Sequence, residues 1–260
     1  MARCTSLVHS VLVLAAAVAL VPLAAGQPWA TCGDGTYKKG SAYENNLLNL
    51  ALTLRDGASS QEILFSTGSN GAAPNTVYGL LLCRGDVSRS VCYECGTSVW
   101  KDAGRVCHRA KDVALVYNEC YARLSDKDDF LADKVGPGQL TNLMSTANIS
   151  TTDIAGYDRA VTQLLAATAE YAVGDISRKL FATGQRVGTD PGFPNLYATA
   201  QCAFDITLEA CRGCLEGLVA RWWDTFPANV AGARIAGPRC LLRSEVYPFY
   251  TGAPMVVLRE

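Results

Sequence analysis

Apolar residues recur at helical spacing in two separate stretches of the chain. The first stretch runs from Tyr43 to Arg55 and places its leucines on one stripe, which predicts an amphipathic helix. The second stretch, 157–171, carries the same kind of stripe at Val161, Leu164, Leu165 and Ala169. Each helix is followed by short apolar runs that predict strands: 62–67 and 76–83, then 178–183 and 195–202.

A second helix and a closing strand complete each series of predicted elements. The second helices carry apolar residues at Val99 and Trp100, and again at Leu218, Trp222 and Trp223. The closing strands are expected at 113–121 and 233–243. This order with short connections predicts an α+β fold of two tandem domains, each an antiparallel β-sheet with two α-helices packed on one face.

A cysteine motif marks the same repeat. Cys-x8-Cys-x2-Cys occurs twice, displaced by about 119 residues, at Cys83, Cys92 and Cys95 and at Cys202, Cys211 and Cys214. Gly136-Pro137-Gly138 breaks regular structure between the two copies. We therefore expect a first domain over 27–131, a linker over 132–145, a second domain over 146–254 and a tail over 255–260.

The N-terminus has the layout of a secretory signal peptide. Arg3 is followed by the apolar run from Leu12 to Leu20, and small residues precede a cleavage point after Gly26. Residues 1–26 are therefore predicted to be removed, and the mature protein is expected to be secreted, with no membrane span. Its net charge would be about −2, which gives no electrostatic reason to expect a nucleic-acid partner.

The ten cysteines of the mature chain are expected to form disulfides in an oxidising compartment. The second repeat lacks counterparts of Cys32 and Cys107, and their joint loss suggests that these two pair with each other. The remaining four cysteines of the first repeat allow three connectivities. The short reach between the first two motif cysteines favours Cys83–Cys92 and Cys95–Cys120, and by analogy Cys202–Cys211 and Cys214–Cys240.

Other chemistry finds little support in the sequence. Zinc would need reduced thiolates, and a thiol redox role for Cys92 and Cys95 competes with structural bridges to the outer cysteines. His108 is the one histidine of the mature chain, and no Gly-x-Ser-x-Gly motif occurs. We therefore predict no metal, no cofactor and no enzymatic activity.

The doubled cysteine motif behind a signal peptide resembles the plant cysteine-rich repeat secretory proteins. Their repeat is the ginkbilobin-homologous, stress-antifungal domain, also called domain of unknown function 26. The resemblance covers residues 29–250 and implies an antiparallel sheet carrying two helices, with the disulfide pairing given above. The membrane-bound relatives are the cysteine-rich receptor-like kinases and the plasmodesmata-located proteins, which add a transmembrane helix.

Ginkbilobin, the single-domain member, is an antifungal lectin for mannose, and its sugar-binding residues have counterparts in the second repeat. The resemblance assigns mannose binding to Asn148, Arg234 and Glu245, whose amide, guanidinium and carboxylate suit the vicinal hydroxyls of a hexose. The first repeat has Gly33, Ala114 and Ser125 at these positions. The resemblance therefore implies a sugar site in the second domain only.

Asn148 also begins Asn148-Ile149-Ser150, the one N-glycosylation sequon of the mature chain. A glycan on this side chain would prevent its amide from contacting mannose. Either the sequon is unused or the sugar site works without Asn148.

The resulting hypothesis is an apoplastic plant defence protein that binds mannose-containing glycans of fungal walls. The alternative is an apoplastic protein-interaction or signalling module that uses its sheet faces and binds no carbohydrate. Its oligomeric state does not follow from the sequence.

Overall fold

The computed structural model describes residues 26–131, 140–175, 177 and 179–259. The predicted signal peptide, apart from Gly26, lies outside the described residues, and so does most of the predicted linker, 132–139. Among the residues that the structure describes, no helix is long and apolar enough to cross a membrane.

The first domain is an antiparallel sheet with two helices. Within its described residues the strand order is β1-β4-β5-β3-β2. The elements, in chain order, are β1 (Trp29–Cys32), α1 (Ala42–Ser60), β2 (Phe65–Asn70), β3 (Val77–Cys83), α2 (Arg89–Asp102), β4 (Val113–Val116) and β5 (Cys120–Ser125).

The second domain repeats this plan, with β6 in the place of β1, and adds one strand, β11, at the opposite edge. Its described strands follow the order β11-β7-β8-β10-β9-β6, and all pairs are antiparallel except the parallel pair β11–β7. The elements are β6 (Thr141–Met144), α3 (Ile154–Ala172), β7 (Phe181–Val187), β8 (Asn195–Cys202), α4 (Leu208–Ala220), α5 (Trp222–Thr225), β9 (Gly232–Ala236), β10 (Cys240–Glu245) and β11 (Val256–Arg259).

Two of these strands lie where the sequence predicted a linker and a tail. Residues of β6 fall within 132–145, and residues of β11 fall within 255–260. Each strand has four residues, too few for a period-two pattern to stand out. The β11 strand joins the sheet by pairing Val256 with Gly184, and Leu258 packs against the core of the second domain.

The helices begin where the sequence supplies a capping side chain. The Ser41 hydroxyl accepts a hydrogen bond from the Glu44 amide at the start of α1, and Thr207 does the same for Ala210 at α4. The leucine stripe of α1 is at most 2% exposed, so it faces the sheet. Trp222, 1% exposed, lies in the core of the second domain.

The described cysteines form five disulfides, and these are the pairs expected from the sequence. They are Cys32–Cys107, Cys83–Cys92, Cys95–Cys120, Cys202–Cys211 and Cys214–Cys240. In each repeat the motif bridges tie two neighbouring central strands of the sheet to the second helix, β3 and β5 to α2 and β8 and β10 to α4. Each bridge is expected to stabilise the folded state by about 2–4 kcal/mol.

The two sheets pack against each other through the faces opposite their helices. Between them lies a separate apolar cluster, to which Leu82 and Tyr121 of the first sheet and Leu241 of the second contribute. Hydrogen bonds also cross the interface: the Gln201 amide donates to the Cys83 carbonyl oxygen at 2.9 Å. The molecule is therefore built in four layers, with helices outside and two sheets inside.

Candidate functional site

A cleft of about 610 Å³ opens at the margin of the interface between the two sheets. Both domains line it. The first domain contributes Trp29, Arg84, Asn118 and Glu119, and the second contributes residues 142–145, Gly232, Ala233, Arg234, Arg243, Glu245, Tyr247 and Phe249. Clefts of this size are typical of small-ligand sites.

Arg234 lies on β9, between β6 and β10, on the face turned to the first domain. It is 8% exposed, and its Nη1 donates to the Tyr117 carbonyl oxygen at 2.6 Å. Burial, together with the charges of Arg243 and Arg84, lowers the pKa of this guanidinium to about 9. Arg234 thus joins the domains and also forms part of the cleft wall.

Glu245 ends β10, directly opposite Gly232 on β9. Its Oε1 accepts a hydrogen bond from Arg243 Nε at 2.9 Å, and burial raises the pKa of the carboxyl in spite of this arginine. A Cβ at position 232 would overlap Glu245 Oε2. The glycine therefore leaves the space that the carboxylate occupies.

A hydrogen-bond network that spans both domains holds the polar side chains of the cleft in place. The Arg243 guanidinium lies 4.1 Å from the centre of the Phe249 ring and donates to Asn118 Oδ1 at 3.3 Å. Arg84 donates to the Asn118 carbonyl oxygen at 2.9 Å and to Asp86. The cleft is therefore preorganised.

Arg243 is a cleft residue that the sequence analysis missed. It stands two positions before Glu245 on a strand, so it shares the face of that glutamate. This spacing of two residues on a predicted strand was the sequence signal that could have identified Arg243.

Asn148 is separated from the other two residues of the expected sugar site. It is exposed, forms an isolated bridge with Val230 and is absent from the residues that line the cleft. Two of the three residues therefore share one cleft, and the sequon lies outside its lining. A glycan on Asn148 would leave Arg234 and Glu245 in place.

The bridge register corrects one of the expected correspondences: Thr36 bridges Ala110 as Asn148 bridges Val230, so Thr36 and not Gly33 is the counterpart of Asn148. The three positions of the first repeat named from the sequence are also occupied differently. Ala114 and Ser125 are fully buried, and a Cβ on Gly33 would lie 2.6 Å from Asp112 Oδ2. Asp112 accepts a hydrogen bond from Arg123 Nη2 at 2.8 Å inside the protein.

The cleft carries groups that can recognise a polar ligand. Arginine donors, glutamate and amide acceptors and three aromatic rings surround it, a combination that matches a polyhydroxylated ligand. The ten cysteines of the described chain are all in disulfides and offer no thiol nucleophile. In the described ranges no group of three or more His, Cys, Asp or Glu residues could hold a metal ion.

Comparison with protein families gives one match that covers both domains. The family model described as "Salt stress response/antifungal" matches residues 31–127 and 144–247. Each matched segment contains both long helices and the central strands of one domain, and β11 lies beyond the second segment.

Curated relatives include receptor kinases and a secretory protein of plants. Cysteine-rich receptor-like protein kinase 6 of Oryza sativa subsp. japonica is 38% identical over 91% of this chain. The match spans only 35% of the kinase's own length. Cysteine-rich repeat secretory protein 38 of Arabidopsis thaliana is 31% identical over 84% of this chain and 83% of its own length.

Solved structures confirm the tandem fold. The tandem DUF26 ectodomain of the Arabidopsis thaliana cysteine-rich receptor-like protein PDLP8 aligns with a TM-score of 0.62 at 18% identity. It covers 87% of this chain and 98% of its own. The expected extracellular location is also confirmed, since the relative that this chain matches over most of its length is a secretory protein.

Proposed function

Since this chain belongs to the salt stress response/antifungal family, we propose that it is a secreted, non-catalytic plant defence protein that binds mannose-containing glycans. The site is the cleft between the two sheets, with Arg234 and Glu245 as sugar contacts. The proposed targets are the mannans of fungal walls. One observation carries the proposal: these two residues, assigned by resemblance to a mannose lectin, line the same preorganised cleft.

The chemistry of the cleft supports this function. Glu245 offers a charged acceptor, and Arg234 and Arg243 offer donors in fixed planes. Charged hydrogen bonds of this kind contribute about 1.5–3 kcal/mol each when the ligand replaces water well. Because the cleft is open and polar, the affinity for one sugar is expected to be weak, and branched mannan would bind more tightly through multivalency.

The competing function is a protein-interaction module. The sequence suggested that such a module would bind a partner through its sheet faces, but those faces pack against each other in this protein. A protein partner would therefore have to use the helices, the sheet edges or the cleft.

A titration of linear mannotriose by calorimetry, supported by retention on immobilised mannan, tests the proposal. Glu245→Gln keeps the shape of the side chain and removes the charge, so binding should weaken tenfold or more. Arg234→Lys keeps the charge but loses the planar fork, and it should weaken binding as well. Glu62→Gln is the matched control, because its side chain is 73% exposed and lies outside the cleft lining.

Thermal melts of each variant separate loss of the site from loss of the fold. Equal binding by the wild type, Glu245→Gln and Arg234→Lys would contradict the assigned site. A wild type that binds neither mannotriose nor mannan would contradict the lectin function and favour the protein-interaction module.

A further inference from the structure

We propose that the first domain completes the binding site through Trp29, whose indole provides a stacking surface that selects a chain of mannose units over a single hexose. This inference rests on the proposed function and specifies its ligand. It gives the first repeat a part in binding, although that repeat has none of the sugar residues implied by resemblance.

The position of Trp29 follows from the register of β1. Trp29 pairs with Val116, and Thr31, two residues further on, shares its face of the strand. The Thr31 hydroxyl lies 2.7 Å from the hydroxyl of Thr141 on β6 of the second domain. Trp29 therefore faces the second domain, where it lines the cleft.

The indole is suited to contact a ligand. Trp29 is only partly buried, and it packs against the apolar cluster between the sheets. Its buried part fixes the ring, and the rest is available at the cleft wall. A partly exposed indole face matches the C–H face of a pyranose, and an indole N–H can donate a hydrogen bond to a hydroxyl.

The segment that carries Trp29 is anchored to the same residue as the arginines of the site. Gln27 lies two residues before the tryptophan. Its Oε1 accepts a hydrogen bond from the backbone N–H of Asn118 at 2.7 Å. The Asn118 side chain and carbonyl oxygen accept from Arg243 and Arg84. Asn118 therefore links the tryptophan segment to the side chain that holds Glu245.

The dimensions of the cleft favour more than one sugar. Its volume of about 610 Å³ exceeds what one hexose ring fills and lies in the range of sites for larger small molecules. On the second-domain side Tyr247, 52% exposed, and Phe249 add aromatic surface. One unit can bond to Arg234 and Glu245 while the next lies against Trp29.

The experiment compares two probes, methyl α-mannoside and linear mannotriose, on the same set of variants by calorimetry. The wild type should bind mannotriose at least tenfold more tightly than the monosaccharide. Trp29→Ala should abolish most of that preference, because it should weaken mannotriose binding much more than monosaccharide binding. Trp29→Phe, which keeps a smaller ring, should retain an intermediate preference.

Trp100→Phe is the matched control, because Trp100 packs against the core of the first domain and lies outside the cleft lining. If Trp29→Ala does not fold, as judged by its thermal melt, the preference measured with Trp29→Phe decides. A Trp29 variant that keeps the full wild-type preference would overturn the inference. So would a wild type that binds both probes equally, and in that case the proposed function stands. A wild type that binds neither probe would also overturn the inference, and one that in addition is not retained on immobilised mannan would overturn the proposed function.

Discussion

The two repeats place an arginine at equivalent strand positions but use it in different surroundings. In the first repeat Arg123 is 4% exposed, pairs with Asp112 and lies 5.5 Å from the centre of the Phe130 ring, which is itself buried. We call this group the sealed site. In the second repeat Arg243 pairs with Glu245 under Phe249, and all three residues line the cleft. We call this group the open site.

The two repeats differ in which of two neighbouring chain segments carries the carboxylate that pairs with the arginine. In the second repeat Glu245 on β10 stands opposite Gly232 on β9. In the first repeat the carboxylate is Asp112, which precedes β4, and the residue at the position of Glu245 is Ser125. The longer glutamate reaches over a glycine to the cleft, whereas the shorter aspartate stays inside. One fold therefore gives a structural ion pair in one copy and a candidate binding site in the other.

The largest expected effect is a loss of stability when the ion pair of the sealed site is broken. Asp112→Ala leaves the buried Arg123 without its carboxylate and should lower the free energy of unfolding by about 3–5 kcal/mol. Chemical denaturation measures this loss. Mannotriose binding should be unchanged at temperatures where the variant remains folded, because Asp112 does not line the cleft.

Two further variants test the reason for that loss. Asp56→Ala removes a carboxylate that is 61% exposed in its pair with Arg55, so it should cost less than about 1 kcal/mol. Asp112→Ala combined with Arg123→Met removes both buried charges and should recover part of the lost stability. A sealed-site variant as stable as Asp56→Ala would show that the pair is not structural.

A smaller effect is expected when a change of pH alters the ionisation of Glu245 in the open site. Burial raises the pKa of Glu245 above its ordinary value of 4.5 in the folded protein. The stability that this group contributes is therefore present at low pH and is lost as pH rises through the folded pKa. Mannotriose binding should instead strengthen as pH rises, since it needs Glu245 in its ionised form.

Titrations between pH 7 and pH 4 should show mannotriose affinity falling with a midpoint above 4.5. The Glu245→Gln variant should lack this transition. The described lining of the cleft has no histidine, but it has a second carboxylate, Glu119. A transition that is present in the wild type and absent from Glu245→Gln therefore belongs to Glu245. A midpoint that is the same in both proteins would contradict the assignment.

The repeat architecture could be predicted from the sequence because its signals are local. The stripe of Leu47, Leu50 and Leu54 predicted α1, and the cysteine spacing predicted two equivalent units. The pair Cys32–Cys107 followed from comparing the two copies, and the other pairs followed from the short spacing of the first two motif cysteines. The resemblance also supplied Arg234 and Glu245, which the fold brings to one cleft.

Features that depend on long-range packing could not be read from the sequence. The strands β6 and β11 are short and gain their stability from neighbouring strands. Nothing local in the sequence shows that the two sheets meet face to face. The contribution of Trp29 to the cleft therefore cannot be predicted from the sequence. The same packing explains why Arg234 is buried and bonded to Tyr117.

The exchanged carboxylate provides the most direct test of the central claim, that its position separates a binding site from a structural ion pair. A double variant, Gly232→Asp with Glu245→Ser, placed in a Ser145→Gly background, gives the second repeat the arrangement of the first. Ser145 donates its backbone N–H to Gly232 as Gly33 does to Asp112, and the glycine leaves the room that an aspartate at position 232 needs. Calorimetric titration with mannotriose should show binding in the wild type and a loss of at least tenfold in the double variant. Its thermal melt should remain close to that of the wild type, since Arg243 keeps a carboxylate partner. Wild-type affinity in the folded double variant would contradict the account.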